Sequence, residues 1–271
     1  MPTTLSLSPG QSELIAKQAA VITDIHQPPA LEFPPDLLTL RRNILEVVDR
    51  DGLIVINNFS GDHDAVLVYL MSLIGVPWRD EKAGPMVMDI KPVQHEMSVN
   101  TTSYYSWNNF DYHTDLQYID HPPDFIAIIC VTPDVKGEGR SIFADVQAAV
   151  QELSPATLEA LQQPNFIFKA PPHYQGGLVA RKAILNPTAT GGWQIRVRFD
   201  RASADTPEAE NALRELYTAL DKHRIEFLVG MNAAYIIDNR RMAHGRTPFL
   251  PTFSTTDRHL KRILGMRQSA P

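Results

Sequence analysis

The stretch DFIAIICVTPD, Asp124 to Asp134, sets a run of seven apolar residues between proline-bearing ends. A run of that length reads as a β-strand, and its unbroken apolarity implies burial on both faces. A chain that must cover both sides of a strand folds in layers. Other segments extend the pattern. GLIVINNFSG reads as a buried strand, GPMVMDIKP as a short one, and NAAYIIDN and HLKRILGMR as late strands. GRSIFADVQAAVQEL passes from strand to helix, while WQIRVRFD alternates, which predicts one wet face. Helical spacing marks DLLTLRRNILEVVDRDG, to about Asp49, and DHDAVLVYLMSLIGV. The longest helical pattern is TPEAENALRELYTALDKHRIEFLV, with proline near its start.

Helices thus come early and once late, with most strands between them. That order predicts an antiparallel sheet assembly decorated by helices, not a regular βαβ array. Of the 21 prolines, eight cluster in QPPALEFPPD, DHPPD and KAPPHY. Proline lacks a ladder donor, so these mark loops and element edges. None lies in the polar composition of an interdomain linker, and no internal repeat is visible. A single domain over 1–271 is expected, with a helical N-terminal part at about 10–75 and a strand-rich core at about 86–267.

The formal charge of −6 gives no basic footprint for nucleic acid. No apolar run approaches a membrane span, and MPTTLSLSPGQSELIAK lacks the layout of a secretory signal. The one cysteine, Cys130, sits inside an apolar run and reads as a small buried hydrophobe. A cytoplasmic protein is expected. Neither a Walker loop nor a dinucleotide-binding glycine pattern occurs.

Nine histidines offer many candidate pairs. In FDYHTDLQY, His113 and Asp115 are two apart, and residues i and i+2 of an extended strand point to one face. They can therefore converge on one ion if the segment is extended. An imidazole and a carboxylate need a further ligand, and a second imidazole would leave three adjacent octahedral positions open. YIIDNRRMAHGRTPF leads an apolar strand into a polar turn ahead of His244. Arg258, in TDRHLKRILG, follows fourteen residues later. Its planar guanidinium matches a carboxylate bidentately.

YHTDLQY, GEGRSIFAD, IIDNRRMAHGRTPF and DRHLKRILG follow one another in that order across about residues 110–267. On these segments the sequence resembles the iron(II)/2-oxoglutarate dioxygenases of the taurine dioxygenase and clavaminate synthase-like group. DNRRMAHGR is also similar to the matching segment of gamma-butyrobetaine and trimethyllysine hydroxylases. The resemblance implies a mainly β fold with flanking helices, its core a double-stranded β-helix, the cupin-like jelly-roll of two facing sheets. It implies that His113, Asp115 and His244 bind Fe(II) and that Arg258 holds the distal carboxylate of 2-oxoglutarate. Ser141 stands where the family usually has threonine, and its hydroxyl would donate to the same carboxylate. Arg262 matches a position that grips the substrate's anionic group in the taurine enzyme. Tyr104 and Tyr105 precede the metal segment and would wall the substrate.

The implied reaction couples O2 and oxidative decarboxylation of 2-oxoglutarate, to succinate and CO2, with hydroxylation of a C–H bond. Asp115 favours hydroxylation over halogenation, since related halogenases carry glycine there. The implied substrate is a small polar molecule, most readily an amino acid or its derivative, with a betaine, sulfonate or small carboxylate, or desaturation or cyclisation, as alternatives. Two other classes stay open at this point: a cupin-like zinc or manganese enzyme, and a metal-free binding protein. Arg258 argues against the first, which has no need of a dicarboxylate anchor. His121, His173, His223 and His259 are expected to be structural, and His95 to lie near the site mouth. Trp107 is expected to pack, Arg240 and Arg241 to be surface charges, and Asp238 and Asn239 to fix the turn before His244. The segment from about Pro171 to Pro187 is expected to be a mobile cover.

Overall fold

The computed structural model describes residues 1–94, 105–171, 174 and 177–268. Its frame is a pair of β-sheets. The larger orders its strands as Thr3–Ser6, Leu53–Asn57, Ala234–Asp238, Phe125–Thr132, His259–Met266 and Val76–Trp78, with Val87–Ile90 also paired to His259–Met266. The smaller runs Ile225–Phe227, Ser141–Asp145, Met242–Arg246 and Phe110–His113. Apart from the parallel pair of Thr3–Ser6 with Leu53–Asn57, every pairing in these sheets is antiparallel. This is the expected jelly-roll architecture.

The doubly apolar strand Phe125–Thr132 is central, and its alternate residues serve two cores. Ile126, Ile128 and Cys130 pack between the sheets with Phe143, Tyr235, Leu260 and Leu264. Phe125, Ala127 and Ile129 face the other way, against the helices Pro35–Asp51 and His63–Ile74. The first of these helices ends at Gly52, whose φ of 74° turns the chain into the next strand. The second starts at Asp62, whose carboxylate caps the Ala65 N–H. The larger sheet is therefore braced on its outer face, and its inner face is left to the site.

Three expectations change. The late helical pattern stops at Lys222, and its tail forms the strand Ile225–Phe227, so at 17 residues Pro35–Asp51 is the longer helix. In WQIRVRFD only Trp193–Ile195 is strand, and Arg198 is buried, turned onto Asp200 at 2.9 Å and over the Phe110 ring. Polar alternation cannot separate a wet face from an ion pair folded inward. The expected cover contains ladder: Val179–Lys182 pairs with Phe166–Lys169, and Leu185–Pro187 with Trp193–Ile195. Parts of that segment, with His173, and His95 lie outside the described residues.

Candidate metal centre and cosubstrate pocket

His113 is the last residue of its strand and His244 the middle residue of its own, and the two stand opposite each other in the ladder. Gly245 makes this pairing close. A Cβ there would meet the Phe110 carbonyl oxygen at 2.3 Å, so the backbone approach excludes any side chain. The rings of His113 and His244 lie 4.2 Å apart at their centroids, and Phe110 stacks on His113 at 3.8 Å.

Asp115 joins them by a different route from the expected one. The strand ends at His113, and Asp115 opens a turn in which Leu116 takes a φ of 55°. Its carboxylate is nonetheless brought to the histidines: Oδ1 lies 3.6 Å from His113 Nε2 and 3.9 Å from His244 Nε2. One ligand atom from each of the three residues falls within 4.8 Å of the others, and all three side chains are buried. Oδ2 accepts from the Arg262 guanidinium at 2.6 Å. That pairing turns the other oxygen toward the imidazoles. Arg262 alternates inward with Leu260 and Leu264, lines the cavity and is bonded to Asp115.

What holds the turn is Asn239. Its Oδ1 accepts from the Asp115 N–H at 2.8 Å, and its amide donates to the carbonyls of Asp115 and Pro123. Expected to fix its own turn, Asn239 instead ties the turn before His244 to the one carrying Asp115, across 124 positions of sequence. Asp238 does serve its own turn, accepting from the Arg240 N–H. Asn239→Ala should cost about 1–3 kcal/mol through buried groups left unpaired. It should also weaken metal binding about 10–100-fold, as loss of a ligand's support does. Chemical denaturation and Fe(II) titration check both, and unchanged metal affinity would remove this role.

The electrostatics keep Asp115 and His244 in ligand form. Burial, reinforced by His113, pushes His244 down to about 3, so its imidazole is neutral near pH 7. Burial would raise the Asp115 carboxyl, but the Arg262 guanidinium and the two histidines hold it well below the usual carboxylate range. His113 Nδ1 donates to the Asp111 carbonyl at 3.0 Å, which orients the ring with Nε2 toward Asp115.

A cavity opens beside these residues. Ser141, Tyr235, Arg246, Arg258 and Arg262 line it with the three candidate ligands. Arg258 is 6% exposed and has no hydrogen-bonded or ion-paired partner among the described residues. Burial lowers its pKa, with Tyr235, Cys130 and Asp134 opposing. Its stem passes over Gly139, where a Cβ would lie 2.9 Å from Arg258 Cδ and where φ is 60°. Burial, then Arg258, lowers Arg246 to about 9.

Other expected residues fall elsewhere. Tyr105 is half-buried, its carbonyl accepting from the Val93 N–H, and does not line the cavity. Tyr104 lies outside the described residues. Trp107 packs edge-on to Phe253. His259 pairs with Asp89 and His223 with Glu152. Arg240 and Arg241 are bound to Asp124 and Asp145, so neither is a plain surface charge.

The model of the taurine catabolism dioxygenase TauD, TfdA family matches residues 30–264. The chain belongs to that family. Among the family's relatives, L-asparagine oxygenase of Streptomyces coelicolor is 31% identical over 205 residues, which cover 73% of this chain and 60% of that protein. Clavaminate synthase 2 of Streptomyces clavuligerus is 24% identical over 192 residues, covering 69% and 58%. The chain thus spans about three fifths of the length of these relatives. Among solved structures, asparagine oxygenase in complex with Fe(II), a 3-hydroxyasparagine and succinate superposes with a TM-score of 0.84, at 24% identity and covering 97% and 93% of the two chains. The oxygenase OrfP with Fe and alpha-ketoglutaric acid gives 0.77 at 19% identity, covering 98% and 94%. These superpositions establish the TauD-like jelly-roll. No helix among the described residues is long and apolar enough to cross a membrane.

Proposed function

We propose that this protein is an Fe(II)- and 2-oxoglutarate-dependent oxygenase. It hydroxylates an unactivated C–H bond of a small amino acid or amino-acid derivative, releasing succinate and CO2. The observation that carries the reading is one cavity holding two imidazoles, a carboxylate and a buried guanidinium with no bonded partner among the described residues. Two nitrogens and one oxygen suit Fe(II) with positions left open. A partnerless buried cation suits the carboxylate of a dicarboxylic acid. A zinc or manganese hydrolase would use the first feature and leave the second without purpose.

In this reading His113, Asp115 and His244 are the metal ligands. Fe(II), when bound, activates O2 against 2-oxoglutarate to oxidise the substrate. The protein's own residues supply the rest. Arg262 and Asn239 hold the carboxylate and main chain of Asp115, so that Oδ1 faces the ion. Arg258 takes the distal carboxylate of 2-oxoglutarate, with Ser141 as a hydroxyl donor beside it. Ile90, Ile128 and Leu260 line the same cavity and exclude water. Asp115 carries the preference for hydroxylation. The relative named for asparagine, and the neighbour solved with a hydroxyasparagine, support an amino-acid substrate. The cytoplasm, where a lone buried cysteine stays reduced, is the proposed location.

A screen for substrate-dependent succinate release tests this, using Fe(II)-loaded protein, 2-oxoglutarate and a panel of amino acids, betaines and sulfonates. An amino acid, asparagine or arginine first among the trials, should stimulate release, and His244→Ala should abolish it. Stimulation by a sulfonate or betaine alone would overturn the substrate class. No succinate from any member, in protein that binds neither Fe(II) nor 2-oxoglutarate, would overturn the whole reading.

A further inference from the structure

Beside the three candidate ligands, the arginines and Ser141, the cavity wall holds one more polar side chain among the described residues, the phenol of Tyr235. The residue is buried on the central strand Ala234–Asp238, opposite Ile128, which lines the same cavity. Packing alone would be served by phenylalanine. A buried hydroxyl needs hydrogen-bonding partners, and their places show what it serves.

The smaller sheet fixes where the phenol points. Phe143 and Phe227 stack on each other and meet the Tyr235 ring edge-on, at 5.1 Å and 6.2 Å. Phe227 lies opposite Ser141 in the ladder, and Phe143 follows Ser141 by two residues on one strand, so the two side chains share a face. The ring is thus clamped with its oxygen toward Ser141, whose side chain is in hydrogen-bonding contact with it. Burial, opposed by Arg258 and Ser141, pushes the phenol up to about 12, so it keeps its proton near neutral pH. Among charged groups, Arg258 acts on it most strongly. Neither hydroxyl has another hydrogen-bonded partner among the described residues. Bonded to each other, the pair uses one of its two protons. A carboxylate held at Arg258 accepts both.

We propose that Tyr235 is a further binding residue for the distal carboxylate of the cosubstrate, a neutral donor that joins Arg258 and Ser141 in selecting a 2-oxo diacid over a monoacid. The inference rests on the reading of the cavity as a 2-oxoglutarate site and adds a residue to it. A phenol strengthens the grip on the anion without adding to the buried positive charge around it. A monoacid would set a methyl group against these donors and leave them unpaired, which is the source of the discrimination.

Calorimetric titration of anaerobic Fe(II)-protein tests this, with 2-oxoglutarate and with 2-oxopentanoate, which carries a methyl in place of the distal carboxylate. Tyr235→Phe removes one oxygen and keeps the ring between Phe143 and Phe227. It should weaken 2-oxoglutarate about ten- to a hundredfold and leave 2-oxopentanoate and Fe(II) affinity nearly unchanged. Tyr235→Leu also lacks the hydroxyl and should show the same selective loss, which holds the inference to account if Tyr235→Phe does not fold. The inference is overturned if the variant binds 2-oxoglutarate as tightly as wild type. It is overturned too if both acids are lost equally, the mark of a ring that only packs. Failure of the wild-type Fe(II)-protein to bind 2-oxoglutarate at all would overturn the proposed function with it; the other outcomes leave that function standing.

Discussion

Asp115→Ala is expected to remove metal binding and also to destabilise the metal-free protein by about 3–5 kcal/mol, the usual result of breaking a buried ion pair from one side. His244→Ala is expected to remove metal binding with a smaller loss. The two ligands differ in what they leave behind. His244 is neutral, its pKa pushed down to about 3 by burial and His113, so its removal strands no charge. Asp115 is the partner of Arg262, itself only 6% exposed, and its removal leaves a buried guanidinium without that counter-ion. Asp115→Asn, which keeps an acceptor for Arg262 but no charge, should fall between them. The pair also fixes a pH dependence. The carboxyl is held below the usual range in the folded state, against about 3.9 when unfolded. Its contribution is therefore complete above about pH 4 and is lost as the pH falls toward the folded-state value. Denaturant unfolding of metal-free protein at pH 7 and in acid checks both points. Equal stability of wild type and Asp115→Ala at pH 7 would show that the ion pair does not hold Arg262.

Much of the site was legible because its pieces are local. His113, Asp115, Ser141, His244 and Arg258 were chosen from short segments, and they line one cavity. The strands were legible for a similar reason: an apolar run such as Phe125–Thr132 states its burial in its own residues. What escaped the sequence lies between segments. Asn239 carries no mark that its amide reaches Asp115. The charge of Arg262 is visible, but its partner 147 positions away is not. Arg246 passed as part of a motif, since its pairing with Ser141 and its contact with Phe249 exist only once the sheet has formed. The strand Thr3–Ser6 has little apolar signal of its own and is a strand because Leu53–Asn57 offers it an edge. The convergence of His113 and Asp115 was expected from strand alternation. In the structure a turn brings it about, with Leu116 in the left-handed region and Asn239 bonded to the Asp115 main chain.

Arg258→Gln should separate function from stability in the opposite sense to Asp115→Ala. A bidentate, charge-assisted contact to a carboxylate is among the strong hydrogen-bonded interactions, and its loss should weaken 2-oxoglutarate by about a hundredfold or more. Fe(II) affinity should change little, because Arg258 touches none of the three candidate ligands among the described contacts. The ligand-free protein should be no less stable than wild type, and up to about 1 kcal/mol more so. In that state Arg258 is a buried cation with no bonded partner among the described residues, a cost accepted for binding and removed by the neutral amide. The two effects cross when cosubstrate is added. At a concentration 100 times its dissociation constant, 2-oxoglutarate should stabilise the Fe(II)-loaded wild type by about 2.7 kcal/mol and the variant by well under half of that. Thermal unfolding with and without 2-oxoglutarate reads both quantities at once. Were Arg258→Gln to lower ligand-free stability by about as much as an ordinary core defect, about 2 kcal/mol, Arg258 would be part of the scaffold and the anchor of the cosubstrate would have to be sought elsewhere in the cavity.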